Sequence, residues 1–327
     1  MALHIEPPGI LTARSPADSG RRLVIGLINN MPDAALEATE AQFSRLLRAA
    51  SGLHTVQLRI AYLPEVPRAP EVAARIARDH WHVDDLLARS VDALIVTGLE
   101  PKAANLVDEP YWGRFVALLR WAQAHTASSV WSCLAAHGAV QHLDGVLRRR
   151  LAEKRFGVFE HTVHAGHALM ADVASPLAIP HSRWNELPAS ELRSAGYSLL
   201  SYGPQTGADM FVKETQSLLV FLQGHPEYEP TTLLKEYRRD VGRYIRGQQP
   251  HYPTPPHDYF TAATIERLEA FEEQARARRT EETLALFPSL DADAYMGDRW
   301  GAGAVQIYRN WLALIAKARA PVAAVAS

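Results

Sequence analysis

The chain has 327 residues, of which 47% are apolar and 21% are charged, and its formal net charge is −2. This amount of apolar material supports one large α/β domain with additions, or two smaller domains. The nearly neutral charge argues against a nucleic-acid-binding protein held by bulk electrostatics, because no basic excess is present to neutralise phosphates. An anionic ligand must instead be bound by local groups.

Cysteine usage and the start of the sequence bear on the cellular compartment. The single cysteine excludes an intramolecular disulfide, as is usual in the reducing cytoplasm. The opening MALHIEPPGI has no basic start followed by an apolar stretch, and no apolar run approaches the roughly 18 residues of a membrane span. We therefore expect a cytoplasmic protein that binds neither membranes nor nucleic acids.

Strand-like and helix-like segments alternate along the first half of the chain. Residues 1–20 show no periodicity and are predicted to form an N-terminal arm. The run Leu23–Ile28 predicts a buried strand, and DAALEATEAQFSRLLRAASG predicts an amphipathic helix that ends at Gly52. The alternation continues with the strand HTVQLRIAYL, the helix EVAARIARDHWHVDDLLARS, the strand VDALIVTG, the helix EPYWGRFVALLRWAQAHTA and the strand SSVWS.

This alternation predicts the fold class. Repeats of strand and helix form parallel β-α units, so we expect an α/β protein with a mostly parallel sheet flanked by helices. Such sheets bind their ligands at the carboxyl ends of the strands. Asn29–Pro32, Gly98 and Cys133 each follow a predicted strand and therefore lie at that edge.

The second half of the chain contains shorter segments. From about Gly157 to Phe221 they predict strands and hairpins of the same body, and TTLLKEYRRDVGRYIRG then predicts a helix. QQPHYPTPPHDYF has four prolines and predicts a linker or crossing segment, whereas residues 261–319 are predicted to be largely helical. We accordingly expect a main domain at 21–247, followed at 248–327 by a Pro-rich segment and a helical extension packed on it.

Cys133 ends the strand SSVWS and precedes a run of small residues. A nucleophile at a sharp strand-to-helix turn is exposed at a helix N-terminus, where the dipole and free N–H groups lower a thiol pKa and hold an oxyanion. Small residues allow such a turn, and Ala135, Ala136 and Gly138 follow closely. The alternative is a buried cysteine beside a helix that packs tightly on the sheet.

A thiol nucleophile needs a base, and the chain offers 14 histidines. His137 lies on the helix that follows Cys133 and would have to reach backward. His225 emerges after the apolar strand SLLVFLQG, and Glu227 two residues later can orient its ring as the third member of a triad. The alternative is a loop histidine beside a surface glutamate.

Four segments, taken in order, carry a family resemblance. INNMPDAALEATEAQFSRLL, SCLAAHGAV, EKRFGVFEH and QGHPEY together resemble the homoserine O-acyltransferases of methionine biosynthesis. The resemblance covers about residues 21–260, with a weaker match at YRNWLAL. It implies a class I glutamine amidotransferase-like fold, and it favours a functional Cys133 over a buried one.

The resemblance implies a ping-pong reaction without a permanently bound cofactor or metal. Cys133 would accept the acyl group, succinyl or acetyl, from acyl-CoA as co-substrate. His225, oriented by Glu227, would then activate the hydroxyl of homoserine to receive it. The implied partners are small-molecule substrates and a second copy of the chain in a homodimer.

The binding groups implied by the resemblance fall at three places. Backbone N–H groups of Leu134 and of Gly98 or Leu99 would form the oxyanion hole. Arg239 matches the family arginine that holds the amino acid's carboxylate, although a solvated helix charge is the alternative. The pocket would also be lined by the Ser-Arg turn in PHSRWNEL, which is Ser182 and Arg183.

The sequence departs from the family pattern around these groups. Leu134 stands where the family commonly has Trp, and Ala135 and His137 stand where Gly and Gln are usual. Asp33 and Ala34 occupy the place of a family lysine that follows the early proline. These differences leave the triad intact but leave open both the acyl group and the acceptor, homoserine or serine.

Two further segments have competing interpretations. HTVHAGH places His161, His164 and His167 at three-residue intervals, but the segment is predicted as strand and loop and lacks paired acidic ligands, so we expect no metal there. RRRLAEKR, residues 148–155, is basic enough to meet the phosphates of CoA, although most such runs are solvated faces.

Three function classes remain after these arguments. The leading hypothesis is an O-acyltransferase acting on homoserine. A glutamine amidotransferase or another hydrolase would use the same Cys-His-Glu geometry, but no synthetase or ammonia-acceptor domain is apparent. A non-catalytic binding protein is disfavoured because the triad is complete.

Overall fold

The computed structural model describes residues 3–9 and 22–319. Most of the predicted arm at 1–20 therefore lies outside the described residues, although a short strand forms at its start. The strands are β1 (Leu3–Ile5), β2 (Arg22–Ile28), β3 (Thr55–Tyr62), β4 (Trp81–His82), β5 (Ala93–Val96), β6 (Ser128–Ser132), β7 (Arg149–Val163), β8 (Leu177–Glu186), β9 (Ser198–Leu199), β10 (Ser201–Gly203), β11 (Gly207–Ala208), β12 (Met210–Glu214) and β13 (Leu218–Leu222). The α-helices are α1 (Leu36–Ala50), α2 (Pro70–Asp79), α3 (Val83–Leu87), α4 (Trp112–His125), α5 (Leu134–Asp144), α6 (Ala189–Ser194), α7 (Thr232–Ile245), α8 (Ala262–Ala277), α9 (Glu281–Ala285) and α10 (Gly301–Arg319).

The central sheet has the predicted α/β character. Within the described residues its strands follow the order β1-β3-β2-β5-β6-β13-β12-β9, with β4 beside β3. The pairs from β1 to β13 are parallel, and β12 and β9 are joined antiparallel at one edge. The buried strands carry near-continuous apolar runs because helices cover both faces. The predicted fold class is therefore confirmed.

A second, antiparallel sheet lies beside the carboxyl ends of the central strands. Its order is β11-β10-β7-β8, and it is built on the long β7–β8 hairpin. The backbone N–H of His225 donates to the carbonyl of Pro180 in β8 at 2.8 Å, which ties the two sheets together. The short segments predicted between Gly157 and Phe221 are thus shared between both sheets.

One predicted helix, EVAARIARDHWHVDDLLARS, is wrong as a single element. The structure divides it into α2, the short strand β4 and α3. Trp81 in β4 is buried and donates its indole N–H to the carbonyl of Glu6 at 2.7 Å, and β4 pairs with β3. Burial of this aromatic residue and the added backbone pairs override the helical periodicity. His82 then caps α3 by accepting the N–H of Asp84.

The C-terminal helices pack on the sheet that carries the predicted site. Trp311 in α10 is 1% exposed and donates to Ser128 Oγ in β6 at 2.9 Å. Trp300, just before α10, donates to the carbonyl of Tyr228 at 2.8 Å. None of the helices formed by residues 22–319 has the length and apolar character that spanning a lipid bilayer requires.

We predict that Trp311→Ala lowers the free energy of unfolding by about 3–5 kcal/mol, because it leaves a cavity and removes one of the hydrogen bonds to Ser128 Oγ. Urea denaturation measures this change. The matched control is Leu286→Ala, since Leu286 is 66% exposed and its loss should change stability by less than about 0.5 kcal/mol. Equal effects of the two substitutions would show that α10 does not stabilise the domain.

Candidate active site

The strand-to-helix turn after β6 holds Cys133 in an unusual backbone conformation. Its φ of 54° and ψ of −115° lie in a region that non-glycine residues rarely adopt and that costs on the order of 1–3 kcal/mol. The N–H of Cys133 donates to the carbonyl of Leu222 in β13 at 2.7 Å, which holds the turn in place. The side chain is partly exposed rather than fully buried. This is the geometry expected of a nucleophile at an elbow.

Gly98 and Leu134 approach each other closely beside the thiol. A Cβ on Gly98 would lie 2.8 Å from the backbone nitrogen of Leu134, so only glycine fits without displacing the turn. Leu134 is the first residue of α5, and its N–H has no acceptor within the helix. The predicted oxyanion-hole residues thus lie together at the helix N-terminus.

His225 and Glu227 form a buried pair next to this turn. The Nδ1 of His225 and the Oε1 of Glu227 are 2.7 Å apart, and the two residues are 6% and 4% exposed. The imidazole stacks on the ring of Tyr228, with the centroids 4.4 Å apart. Backbone and ring contacts therefore fix its orientation.

The charge on His225 depends on both of its neighbours. Burial disfavours the imidazolium, but the Glu227 carboxylate and the Cys133 thiolate outweigh burial and hold the pKa of His225 well above its ordinary value. A hydrogen bond between His225 and Cys133 acts in the same direction. The structure thus brings the three residues of the predicted triad together, and their roles stay a prediction.

A cavity of about 660 Å³ opens in front of the thiol. Its walls come from the loop after β5, the start of α5, and the β7–β8 hairpin. The residues that line it include Leu99, Glu100, Cys133, Leu134, His137, Arg148, Arg150, Ser182, Arg183 and Trp184.

Arg183 borders this cavity, but it donates its hydrogen bonds to the protein. It is 4% exposed, and its guanidinium donates to His181 Nδ1 at 3.2 Å, to the carbonyl of Asn185 at 2.7 Å and to the carbonyl of Thr206 at 2.5 Å. The contact with Thr206 ties β8 to the turn between β10 and β11 of the same sheet. Arg183 therefore lies in the cavity wall with its hydrogen bonds used by the protein, and its role in substrate binding stays a prediction.

Ser182 and Arg239 meet at Glu236, which sequence reasoning missed. Glu236 accepts hydrogen bonds from Ser182 Oγ at 2.5 Å and from Tyr228 Oη at 2.6 Å. The Nη2 of Arg239 lies 3.7 Å from Glu236 and 2.9 Å from Asp240, and half of its side chain is exposed. The i,i+3 spacing of Glu236 and Arg239 on α7 could have predicted that both lie on one helix face.

The histidines of HTVHAGH do not form the group that their spacing suggested. His161 instead lies with His181 and Asp209, and one ligand atom from each falls within 4.8 Å of the others, all of them buried. Arg183 donates to His181 Nδ1, and Thr206 Oγ1 lies 2.8 Å from His161 Nε2. With these lone pairs occupied and a guanidinium adjacent, the group is better suited to a hydrogen-bonded network than to a cation.

The surroundings of His137 make it unsuitable as the general base. Burial, followed by the charge of Arg183, lowers the pKa of His137 to about 3. Its Nε2 lies 3.1 Å from Gln223 Oε1. Gln223 uses its amide group to donate to the carbonyl of Ala208, so His137 Nε2 carries the proton. His137 is therefore a neutral residue in the cavity wall.

Comparison with known proteins identifies the family. A family model described as homoserine O-succinyltransferase matches residues 9–322. The chain belongs to the homoserine O-succinyltransferase family. A relative of that name from Rhodopseudomonas palustris is 47% identical over 305 residues, which cover 93% of this chain and 92% of the relative. Another from Bradyrhizobium japonicum is 41% identical over 93% of this chain and 95% of the relative.

These matches confirm the resemblance inferred from the sequence, and they make the protein a transferase. A solved glutamine amidotransferase from Methylobacillus flagellatus aligns over 90% of this chain and 95% of that chain, at 13% identity and a TM-score of 0.49. The strand order and the elbow, rather than that alignment, define the fold described above.

The raised pKa of His225 predicts how Glu227→Gln alters stability. Because the folded pKa lies above the unfolded value of about 6.5, the pair contributes fully below that pH, and its contribution is lost as the pH rises through the folded pKa. Glu227→Gln should cost on the order of 2 kcal/mol near pH 6, and less as the pH rises. Urea denaturation across a pH series measures the difference.

The control for this series is Glu229→Gln. Glu229 is two residues away, is partly exposed and lies 3.4 Å from Arg45, a cation that does not titrate in this range. Its substitution should cost little, at every pH tested. If the loss of unfolding free energy caused by Glu227→Gln did not vary with pH, His225 would not carry the charge that its raised pKa indicates.

Proposed function

We propose that this protein transfers a succinyl group from succinyl-CoA to the hydroxyl of L-homoserine through a thioester on Cys133. The main support is the geometry of the triad. The thiol of Cys133 is partly exposed at a strained strand-to-helix turn and is hydrogen-bonded to His225, and the Nδ1 of His225 contacts Glu227. The choice of succinyl and homoserine comes from the names of the relatives. An acetyl donor and a serine acceptor are the alternatives that the sequence left open.

The first half-reaction uses the charged state of the pair. The raised pKa of His225 favours an imidazolium beside a thiolate, which is the nucleophilic form of Cys133. The thiolate attacks the thioester carbonyl, and the backbone N–H groups of Leu134 and of Gly98 or Leu99 stabilise the oxyanion. When the intermediate collapses, the bond to the CoA sulfur breaks, and His225 gives its proton to the departing thiolate. A thioester is exchanged for a thioester, so the step is nearly balanced in energy.

Acylation then prepares His225 for the second half-reaction. Once Cys133 is a thioester, its negative charge no longer raises the pKa of His225, so the ring becomes a better proton acceptor. The neutral ring takes the proton from the homoserine hydroxyl as that oxygen attacks the acyl carbonyl. Collapse of this intermediate breaks the bond to Sγ, which releases the O-acyl product and restores the thiolate.

The groups around Ser182 suit a free amino acid. Arg239 offers a half-exposed guanidinium for a carboxylate, and Glu236 offers a carboxylate for an ammonium group. Tyr228 donates to Glu236 and stacks on His225, so the acceptor site and the base are held by one residue. This arrangement favours an amino-acid acceptor over water.

We further propose that the enzyme acts in the cytoplasm, as a homodimer and without a permanent cofactor, as the family resemblance implies. Sedimentation velocity of the purified protein measures the oligomeric state. A single species at the mass of one chain would contradict the dimer.

The acyl-enzyme predicts a covalent adduct. After brief exposure to succinyl-CoA without acceptor, intact mass and peptide mapping should show one succinyl group, on Cys133. Cys133→Ala should abolish the adduct and reduce transfer by at least about 10³-fold, with the fold retained by circular dichroism. An adduct elsewhere, or full transfer by Cys133→Ala, would reject the mechanism, and ammonia release from glutamine would instead favour an amidotransferase.

The acceptor site predicts a split between the two substrates. Arg239→Ala should raise the KM for homoserine about 10- to 100-fold while changing the KM for succinyl-CoA little, because only the amino acid loses a charged hydrogen bond. Steady-state kinetics with each substrate varied in turn measures the split. The matched control is Arg238→Ala, which removes an exposed neighbour whose guanidinium lies 5.5 Å from the ring of Phe287. Equal changes in the KM values for homoserine and succinyl-CoA would show that Arg239 does not bind the acceptor.

A further inference from the structure

Arg148 is a half-buried cation in the wall of the cavity that contains Cys133. Within residues 3–9 and 22–319 its guanidinium has neither a hydrogen bond nor an ion pair. Arginine offers five N–H donors, and those of Arg148 have no protein partner within the described residues and stay accessible from the cavity. An anion that enters this cavity would supply the missing partner.

The other charges around the cavity are already used or point to solvent. Arg183 donates to three groups of the protein, and Arg150 stacks on the indole of Trp184 at 4.5 Å. Glu100 is the acidic residue among those that line the cavity, and it is exposed. Arg150, like Arg148, donates no hydrogen bond within the described residues, but it is exposed and lies against Trp184. Arg148 is therefore the half-buried cation in the described cavity wall whose N–H groups are free for a ligand.

The acidic side chain of Glu109, whose charge acts on Arg148, also leaves Arg148 unpaired. Glu109, in the segment between β5 and α4, is buried, and its Oε1 accepts the backbone N–H groups of Lys102 at 2.6 Å and Ala103 at 2.7 Å. Tyr111 lies on the same side, and burial raises the pKa of its phenol far above neutrality, so it is uncharged. Neither residue forms an ion pair with Arg148 in the described structure.

The ligand follows from what Cys133 would carry. A succinyl thioester on Sγ extends into the cavity through two methylene groups and ends in a carboxylate, whereas an acetyl thioester ends in a methyl group. We propose that Arg148 binds the terminal carboxylate of the acyl group and thereby selects a dicarboxylic acyl donor over a monocarboxylic one. This inference rests on the proposed function, because it assigns the acyl-binding end of that same site.

The phosphates of CoA are a second anionic group that Arg148 could bind. The residues next to Arg148 distinguish these phosphates from the carboxylate of the acyl group. Arg149 points away from the cavity, is 65% exposed and pairs with Glu191, so the basic run does not form one continuous phosphate site. Arg148 and the thiol line the same cavity, so an acyl group carried by Cys133 would lie beside Arg148.

The test compares donors that differ only in the carboxylate. Arg148→Met keeps most of the apolar stem and removes the charge, and acylation of Cys133 is timed with succinyl-CoA and with butyryl-CoA. We expect the preference for succinyl over butyryl, as a ratio of kcat/KM values, to fall about 10- to 100-fold. The same fall is expected with S-succinyl-N-acetylcysteamine, which has no phosphates. Arg149→Met is the matched control and should keep the wild-type ratio.

Two results would overturn the proposal. An equal loss for both acyl groups would make Arg148 structural. A loss that appears with the CoA thioesters and disappears with the truncated thioester would assign Arg148 to the phosphates.

A binding measurement separates this proposal from the function on which it rests. In a Cys133→Ala background, calorimetry gives the affinities for succinyl-CoA and butyryl-CoA without any transfer. Arg148→Met should erase the preference for succinyl-CoA in that background. If the wild type failed to transfer acyl groups but kept this Arg148-dependent preference, the proposed reaction would fail and the assignment of Arg148 would stand. Equal binding of the two thioesters by the Arg148-containing protein would reject the assignment.

Discussion

The site depends on one backbone hydrogen bond, from the N–H of Cys133 to the carbonyl of Leu222. It extends the parallel pairing of β6 with β13 by one residue and holds Cys133 at a positive φ that the chain would otherwise avoid. Leu222 is also the last residue of β13, so His225 emerges three residues later at the same edge of the sheet. One strand register therefore places both the thiol and its proposed base.

The electrostatics of the pair follow from that placement. Burial alone would favour a neutral His225, yet the carboxylate on one side and the sulfur on the other make the charged ring the stable form. The adjacent His181 has the opposite fate, because burial and then Arg183 lower its pKa well below the ordinary value. Two buried histidines that are close in space thus differ in pKa, because the Glu227 carboxylate and the Cys133 sulfur outweigh burial at His225, whereas burial dominates at His181. The hydrogen bonds of His181 and Arg183 support β8, and β8 in turn fixes the backbone of His225 through Pro180.

Local patterns in the sequence predicted the parts of the site that follow strand ends. Cys133 and His225 were identified because each follows a predicted strand, and both lie where parallel strands end. The helix predicted over residues 71–90 failed because burial of Trp81 and pairing with β3 outweigh helical periodicity, and neither is local. Glu236 was missed for the same reason, since its partner Ser182 is 54 residues away along the chain, and the contact of Arg183 with Thr206 likewise spans 23 residues. The sequence indicates which side chains can react or bind. Tertiary contacts decide whether the hydrogen-bonding groups of those side chains are used by the protein or remain available to a ligand.

The charged groups on the two sides of the Cys133 thiol differ in sign and pairing. Arg148 lies in the wall of the cavity beside Cys133, and the opposite charges of Glu236 and Arg239 lie beyond Ser182, which both lines the cavity and donates to Glu236. A ping-pong enzyme must admit two substrates to one sulfur in turn without binding either in the place of the other. A single cation suits the donor's acyl carboxylate, whereas a pair of opposite charges suits a zwitterionic amino acid, so each substrate is disfavoured in the other's position. Discrimination between the two half-reactions would then depend on how charges are paired in the protein before any substrate arrives.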